Sequence, residues 1–283
     1  MSAEPRTTVP FSSYAPCVVV VTGTAQGIGY AIAHRFANDG IGVAVNDTAG
    51  KRSRLDSAVD ELRRKGRRAI AVPGDVSSEA DVIFMTERTA TEPGSVDIMV
   101  ANAEFQPSHP LLRVGLISLY RDKGSASASF EASGEMFDSA YSANVRGAFF
   151  CFRHAALQMI KQGLGGRLIA ASSSAGKQGT PNLSAYSASN FAVCGPMQTA
   201  SIELRRHGIT ANSRQGNSSL LNAKFRCLLT QTIIALCLQL FGVPDAPVSE
   251  TDTVASIASC LVKTEAYFIN GQSINVDGGL RHD

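Results

Sequence analysis

Short apolar runs alternate along the chain with segments that repeat apolar residues at the helical period. We predict strands at residues 17–22, 41–45, 69–72, 96–101, 167–171, 209–212 and 273–276. The segments between them predict helices at 28–38, 55–65, 82–90, about 137–162, 183–207 and 254–261. β-Branched runs without polar alternation are typical of parallel strands buried on both faces. The strict alternation of strands and helices therefore predicts an α/β fold, a Rossmann-type doubly wound parallel sheet in three layers, within a single domain.

The N-terminus and two internal stretches depart from this rhythm. Residues 1–15 are polar and contain proline, which predicts a flexible segment before a single domain at 16–283. We expect irregular insertions near 105–133 and 215–248. An apolar run at 227–241 predicts a buried or interfacial helix rather than a membrane span, because it is interrupted by Thr230, Gln231, Thr232 and Gln239.

The composition is that of an ordinary globular protein and gives no support for several classes of partner. Of the 283 residues, 44% are hydrophobic and 18% are charged, and the formal net charge is +2. This balance supplies no basic surface for nucleic acid or for an anionic membrane. The six cysteines are scattered without a CxxC pair or a nearby histidine, so neither a metal site nor a disulfide framework is expected. Without a signal-peptide pattern, the sequence predicts a cytoplasmic protein.

A glycine-rich turn joins the first predicted strand to the first predicted helix. It reads Thr-Gly-Thr-Ala-Gln-Gly-Ile-Gly over residues 22–29. Glycines here let the backbone approach a diphosphate closely and adopt dihedral angles that a Cβ would penalise, although any tight turn of this kind needs glycine. The free N–H groups of the next helix then favour phosphates. We therefore expect a dinucleotide to be bound by Gly23, Gln26, Gly27, Ile28 and Gly29.

Asp47 follows the second predicted strand. A carboxylate at this place can accept both ribose hydroxyls of adenosine and repel a 2′-phosphate, which favours NAD over NADP. Lys51, Arg52 and Arg54 lie close by in the sequence and could instead reach a phosphate. A local turn that begins at Asp47 is the structural alternative. The predicted cofactor is therefore NAD, with NADP as the alternative.

Further motifs give the chain, from Val18 to Gly279, a resemblance to the short-chain dehydrogenase/reductase family. They occur in the order that the family has them. Those that carry the resemblance are the glycine turn, Asp75-Val76 after the third strand, Asn102 at the end of the fourth, Asn144 in the middle helix, Ser173 thirteen residues before Tyr186, and the segment 269–279.

The resemblance implies hydride transfer between a nicotinamide and a carbonyl or alcohol carbon. Tyr186 would exchange the hydroxyl proton, Ser173 would hydrogen-bond the substrate oxygen, and Asn144 would hold a water in the proton relay. The resemblance adds Asp75, Val76, Asn102 and Tyr186 to the cofactor-binding residues. Members of the family usually form dimers or tetramers. We therefore expect this chain to form a homo-oligomer, either a homodimer or a homotetramer.

One member of the family's catalytic set is replaced. The family has Tyr-x-x-x-Lys, but residues 186–190 read Tyr-Ser-Ala-Ser-Asn. The lysine binds the nicotinamide ribose and favours the tyrosinate, lowering a phenol pKa that is otherwise about 10. Asn190 can still hydrogen-bond the ribose, which makes it a candidate catalytic and cofactor-binding residue, but it carries no charge. Losing two pKa units of assistance would cost about 2.7 kcal/mol, roughly a hundredfold in rate, so we expect weak or absent turnover.

Two further departures concern the substrate end of the site. Glu104 stands where the family has the glycine of Asn-Ala-Gly, and a bulky anion there could crowd the nicotinamide or repel phosphate. After the sixth strand the family has a Pro-Gly turn, whereas residues 212–217 read Asn-Ser-Arg-Gln-Gly-Asn. The substrate pocket therefore does not follow from the resemblance.

Residues 113–130 and 216–239 look foreign to the pattern. Removing the first joins an apolar segment to a natural lead-in of the middle helix, and removing the second brings residues 240–242 close to the sixth strand. Gly216-Asn217 permits a splice-donor coding sequence and Gln239 an acceptor-like end. One hypothesis is therefore that both segments are translated introns. Genuine loop insertions at the ligand-binding edge are the alternative.

The sequence thus predicts an NAD(P)-dependent oxidoreductase that acts on a small alcohol or carbonyl compound with impaired activity. The alternative is a catalytically inactive nucleotide-binding protein, acting as a sensor or scaffold, or a decayed copy of an enzyme. Asn190 and Glu104 favour this alternative. Asn144, Ser173 and Tyr186 favour the enzyme.

Overall fold

The computed structural model describes residues 14–106, 133–179, 183–216 and 250–279 of the chain. Its strands are β1 (Val18–Thr22), β2 (Gly42–Asn46), β3 (Ala69–Ala71), β4 (Ile98–Ala101), β5 (Gly166–Ser173), β6 (Ile209–Gly216) and β7 (Ser273–Val276). Its α-helices are α1 (Gly27–Asn38), α2 (Arg52–Arg64), α3 (Glu79–Thr91), α4 (Gly134–Ala140), α5 (Gly147–Gln162), α6 (Ser184–Glu203) and α7 (Thr251–Val262). A π-helical turn, Tyr141–Arg146, joins α4 to α5.

The described strands form one parallel sheet in the order β3-β2-β1-β4-β5-β6-β7. The order reverses between β1 and β4, which lie side by side with Val20 opposite Met99. In open sheets of this kind, ligands bind beyond the carboxyl ends of the strands at such a reversal. The predicted doubly wound parallel α/β fold is confirmed.

Each face of the sheet has its own apolar core, because successive strand residues point to opposite faces. Val19 and Val21 of β1 belong to a core formed with α1, α2 and α7. Val20, which lies between them, belongs to a core formed with α3, α5 and α6. The sheet is therefore the middle of three layers, as predicted.

Most predicted elements lie within a few residues of the observed ones, and the larger differences have local causes. The predictions start α2 at residue 55 and α3 at residue 82, whereas these helices begin at Arg52 and Glu79. Their polar first turns carry no apolar period. β5 extends to Ser173 and β6 to Gly216, beyond the predicted ends at 171 and 212. The long helix predicted at 137–162 is confirmed as an uninterrupted helical segment from Gly134 to Gln162 that contains the π-helical turn.

Several predictions fall outside the described residues. They concern most of the segment 1–15, most of the insertions near 105–133 and 215–248, and the helix at 227–241. The segments 113–130 and 216–239 lie within these insertions, and Gly216 is the one residue of the two segments that the structure describes, as the last residue of β6. The translated-intron hypothesis and the division into 1–15 and 16–283 therefore stay predictions. Among the described helices, none combines the length and the apolar character that crossing a membrane requires.

The carboxylate of Asp97 fastens the start of β1 to the start of β4. Its Oδ2 accepts hydrogen bonds from the N–H groups of Cys17 and Val18 at 2.8 and 2.9 Å, and from the Ser95 hydroxyl at 2.8 Å. Asp97 is buried. Since buried N–H groups are nearly always paired, this one carboxylate satisfies the backbone donors with which the sheet begins.

Replacing Asp97 by alanine is expected to lower the free energy of unfolding by about 2–4 kcal/mol, because the N–H groups of residues 17 and 18 lose their acceptor. Chemical denaturation measures the difference. Asp56→Ala, which removes an exposed carboxylate paired with Arg52, should change the same quantity by less than about 1 kcal/mol. Equal effects of the two substitutions would show that Asp97 does not stabilise the start of the sheet.

Candidate active site

A cavity of about 1480 Å³ opens at the carboxyl ends of the strands, beside the reversal of strand order. Its wall is formed by the turn after β1, the residues after β2, β3 and β4, the end of α4 with the π-helical turn, and side chains from α6 and β6. The structure thus brings most of the predicted site residues to one place. Those that line the cavity are Gly23, Gln26, Gly27, Ile28, Gly29, Asp47, Asp75, Val76, Asn102 and Tyr186.

The turn after β1 has the backbone geometry that a diphosphate site needs. Gly23 and Gly27 have φ angles of +70° and +63°, in the left-handed region that favours glycine. A Cβ built on Gly27 would meet no described atom within 4 Å, so the backbone is open at this point. Helix α1 begins at Gly27, and its N-cap residue Gln26 makes no side-chain capping hydrogen bond. The first N–H groups of α1 therefore suit the phosphates of a dinucleotide.

Asn102 lies beneath this turn and connects it to the rest of the sheet. Its Nδ2 donates to the Thr22 carbonyl oxygen at 2.9 Å, and its backbone N–H donates to Thr22 Oγ1 at 2.9 Å. Its Oδ1 accepts a hydrogen bond from Arg214 of β6. A Cβ on Gly29 would lie 2.6 Å from Asn102 Nδ2 and 2.2 Å from the Gly23 carbonyl oxygen. Gly29 is therefore required by close packing within the protein.

Asp47 lies at the end of the cavity formed by β2 and β3. Its carboxylate accepts hydrogen bonds from the N–H groups of Ala25 and Thr48 at 3.1 and 2.9 Å, and its Oδ1 lies 3.1 Å from Lys51 Nζ. Asp47 therefore braces two local turns and also lines the cavity. Of the three basic residues near it in the sequence, Lys51 lines the cavity as the structure describes it, and the two arginines do not.

Tyr186 is the predicted catalytic residue that reaches the cavity. It lies in the first turn of α6, and its hydroxyl donates to Glu104 Oε2 at 3.2 Å. Ser173 ends β5 and is buried, with its Oγ accepting a hydrogen bond from the Ala175 N–H at 3.2 Å. Ser173 is absent from the described lining of the cavity. Its predicted contact with the substrate stays a prediction.

Asn144 lies on the π-helical turn and holds the segment that follows β4. Its Oδ1 accepts from the Phe105 N–H at 2.7 Å, and its Nδ2 donates to the Phe105 carbonyl oxygen at 3.1 Å and to Ser189 Oγ at 3.0 Å. The side chain is buried. Asn144 thus fixes the residue next to Glu104 against α6. Its predicted role in holding a water stays a prediction.

Asn190 lies one turn after Tyr186 on α6, and its amide faces the helix backbone. Its Nδ2 donates to the Tyr186 carbonyl oxygen at 3.0 Å, and its Oδ1 is buried without a hydrogen-bond partner. The residue is fully buried and is not among the described residues that line the cavity. Its predicted contact with a ribose stays a prediction.

Two opposite charges, Glu104 and Arg214, stand at the Tyr186 end of the cavity. Glu104 is an exposed residue that lines the cavity, and desolvation by the protein around the cavity raises the pKa of Glu104. The charge of Arg214 and the hydrogen bond from Tyr186 act in the opposite direction. Burial lowers the pKa of Arg214, which Glu104 and Tyr186 raise. Sequence reasoning identified Glu104 and missed Arg214. The one available signal was an arginine directly after the strand predicted at 209–212, which in the structure continues to Gly216.

The raised pKa of Glu104 predicts that Glu104→Gln gains stability relative to the parent protein as the pH rises. Near pH 4.5, the ordinary pKa of this group, the carboxyl is largely neutral in the folded state and resembles the amide. At higher pH the folded protein must ionise Glu104 at a cost, so the stability due to the neutral carboxyl is lost. Denaturation curves from pH 4.5 to pH 8 measure the difference.

The control for this measurement is Glu92→Gln, which removes an exposed carboxylate paired with Arg88. This pair lies at the surface, so its loss should change the free energy of unfolding by less than about 1 kcal/mol. Stability profiles of Glu104→Gln and the parent that stay parallel across the pH range would contradict the prediction.

Comparison with known proteins shows which family of proteins this chain resembles. A family model for short chain dehydrogenases matches residues 17–215. A short-chain dehydrogenase/reductase of Armillaria gallica is 37% identical over 277 residues, covering 94% of this chain and 96% of the relative. The 3-oxoacyl-[acyl-carrier-protein] reductase of Staphylococcus epidermidis is 30% identical over 264 residues, covering 92% of this chain and 97% of the relative.

Solved structures agree with this result. The crystal structure of a blue fluorescent protein from a metagenomic library, in complex with NADPH, matches with a TM-score of 0.75 and 26% identity. The match covers 94% of this chain and 98% of that one. With the family model, the relatives and the fold in agreement, this chain belongs to the short-chain dehydrogenase/reductase family.

Proposed function

We propose that this NAD(P)-dependent oxidoreductase transfers a hydride between a nicotinamide and a carbon of a small alcohol or carbonyl compound, with weak turnover. One observation carries the proposal: the glycine turn after β1 and the phenol of Tyr186 line the same cavity. A nucleotide held at the turn would therefore extend toward a group that can exchange a proton. The similarity to a 3-oxoacyl-[acyl-carrier-protein] reductase and to an NADPH complex supports the same chemistry.

The residues of the cavity fit a dinucleotide. The open backbone at Gly27 and the uncapped N-terminus of α1 suit a diphosphate, and Asp47 offers a carboxylate for a ribose. When bound, the nicotinamide supplies or accepts the hydride. The residues proposed to hold the cofactor are Gly23, Gln26, Gly27, Ile28, Gly29, Asp47, Asp75, Val76, Asn102 and Tyr186.

Tyr186 is the proposed proton donor in reduction and the acceptor in oxidation. Its hydroxyl donates to Glu104 in the structure, so a substrate oxygen has to take the place of this carboxylate before the proton can move. Asn190 adds no charge and bonds to the backbone of its own helix. Both observations support weak turnover.

A catalytically inactive nucleotide-binding protein is the second candidate, and the hydrogen bond from Tyr186 to Glu104 is the observation that favours it. If this bond persists when a nucleotide is bound, the phenol has no free position for a substrate oxygen. The glycine turn would then bind the nucleotide without chemistry. Turnover measurements separate the two candidates.

The position of Asp47 predicts the choice between NADH and NADPH. Its buried carboxylate lines the cavity and would repel a 2′-phosphate, whereas the nearby Lys51 ammonium would attract it. We expect tighter binding of NADH, and we expect Asp47→Asn to shift the ratio of the two dissociation constants toward NADPH by about tenfold. Fluorescence titration measures both constants. Asp56→Asn, an exposed control, should leave the ratio unchanged, and an equal ratio in Asp47→Asn and the parent would contradict this assignment.

Turnover with NADH and NADPH against a panel of small diketones and hydroxyketones tests the proposed reaction. We expect slow reduction by the parent protein and a rate up to about a hundredfold higher in Asn190→Lys. Tyr186→Phe should show no reduction. All three should bind the cofactor, which the fluorescence titration checks. Cofactor binding without turnover in the parent and in Asn190→Lys would favour the inactive protein. Absence of binding by either cofactor to folded protein would contradict both candidates.

A further inference from the structure

We propose that Arg214 is a positioning residue that supplies the positive charge beside the Tyr186 phenol, a charge that residue 190 does not provide. The inference rests on the proposed function, because it concerns the proton step at Tyr186. A phenol that gives up its proton leaves an anion, and a fixed cation close to it lowers the cost of forming that anion. The structure offers such a cation on β6.

The backbone of Arg214 is fixed by strand pairing, and its guanidinium is positioned by a hydrogen bond to Asn102. Arg214 lies opposite Ala171 in the pairing of β5 with β6, and its Nη2 donates to Asn102 Oδ1. The side chain is buried but forms part of the cavity wall, together with Tyr186 and Glu104. Asn102 is itself fixed to the end of β1, so the position of the charge is set by the sheet.

Arg214 interacts electrostatically most strongly with Glu104 and next with Tyr186, the proposed proton donor. Tyr186 and Glu104 both act on the pKa of Arg214, and each favours its charged form. The Nε of Arg214 is buried without a hydrogen-bond partner, so the side chain retains a donor that the protein has not used. Arginine is the most basic side chain, and Glu104 and Tyr186 favour the charged form of Arg214 against the effect of burial.

The other cations in the described wall of the cavity are engaged elsewhere. Lys51 Nζ lies 3.1 Å from Asp47 at the opposite end, and Arg146 donates to Ser142 Oγ at 2.6 Å. The remaining ionisable groups on the elements packed against α6 are distributed over six places. They are Glu135 and Asp138 on α4, Tyr141 on the π-helical turn, Cys151, Arg153, His154 and Lys161 on α5, Arg167 on β5, Lys177 in the turn after β5, and Arg205, Arg206 and His207 after α6. Among the described residues, Glu104 and Arg214 both interact with the Tyr186 hydroxyl.

The proton balance of the step is simple. In reduction the O–H bond of Tyr186 breaks as an O–H bond forms on the substrate oxygen, while the hydride reaches the carbonyl carbon. The phenolate that remains is stabilised by the guanidinium and regains a proton from water. In oxidation the same transfers run in reverse, and the phenolate is the base. Arg214 neither gains nor loses a proton in either direction.

Ultraviolet titration of tyrosinate tests this inference without any substrate. The parent protein, Arg214→Gln and Arg214→Lys are each compared with a matched variant that also carries Tyr186→Phe, which isolates this phenol among the six tyrosines. We expect the Tyr186 phenol to ionise at higher pH in Arg214→Gln and close to the parent value in Arg214→Lys. Arg153→Gln, which removes an exposed charge paired with Glu79, should leave the titration unchanged.

A second pair of variants guards against loss of folding. Glu104→Gln/Arg214→Gln removes both charges and should ionise Tyr186 at higher pH than Glu104→Gln alone. Arg214→Gln/Asn190→Lys, which returns a cation to the neighbouring helix position, should restore the titration toward the parent value. A merely structural role of Arg214 would not be rescued in this way. Identical titrations with and without Arg214, in folded proteins, would overturn the inference.

Turnover distinguishes this result from the proposed function. Where the parent reduces a carbonyl compound, Arg214→Gln should lower kcat by about tenfold or more, because the phenol becomes a weaker acid, and the pH above which the rate falls should move upward. A Tyr186 titration that depends on Arg214 in a protein without turnover would overturn the proposed reaction and leave the inference intact. Normal turnover and an unchanged titration in Arg214→Gln would overturn the inference alone.

Discussion

The amide of Asn102 is the contact on which the arrangement of the cavity depends. Through Thr22 it holds the end of β1, and it lies so close to Gly29 that a Cβ has no room there. Through Arg214 it reaches β6, on the far side of β5. The nucleotide turn and the charge beside Tyr186 are therefore positioned by a single side chain. A change at residue 102 would disturb both ends of the proposed site together.

The layered fold was predictable because each face of the sheet is packed by an apolar core. The ends of β5 and β6 were not, since they are polar and nevertheless buried. Ser172, Ser173, Ser213, Arg214 and Gln215 all lie within these ends. Apolar periodicity cannot mark such residues, because their burial depends on segments far away in the chain. The late predicted starts of α2 and α3 have a different cause, because their first turns are polar, are not buried and carry no apolar period.

The glycine turn and Tyr186 were also predictable, because short-range spacing places them and the sheet then brings them together. The hydrogen-bond partners of the site residues were not predictable from the sequence. Nothing in the spacing of residues 186–190 predicted that the Asn190 amide donates a hydrogen bond to the carbonyl oxygen of Tyr186 within the same helix. The hydrogen bond from Tyr186 to Glu104 joins residues far apart in sequence, and Arg214 reaches the site from a third element. Such contacts follow from the rotation of one helix against the sheet, which no residue spacing encodes.

The two polar residues that flank β4 have a consequence for the length of that strand. Asp97 precedes its four residues and bonds to the entry of β1, whereas Asn102 follows them and bonds to its exit. Together they bind the first strand at both ends, so the number of residues between them has to match the length of that strand. Neighbouring strand residues point to opposite faces of the sheet. One residue gained or lost between Asp97 and Asn102 would therefore turn one of these two side chains away from β1. Apolar substitutions within β4 are therefore tolerable in a way that insertions and deletions are not.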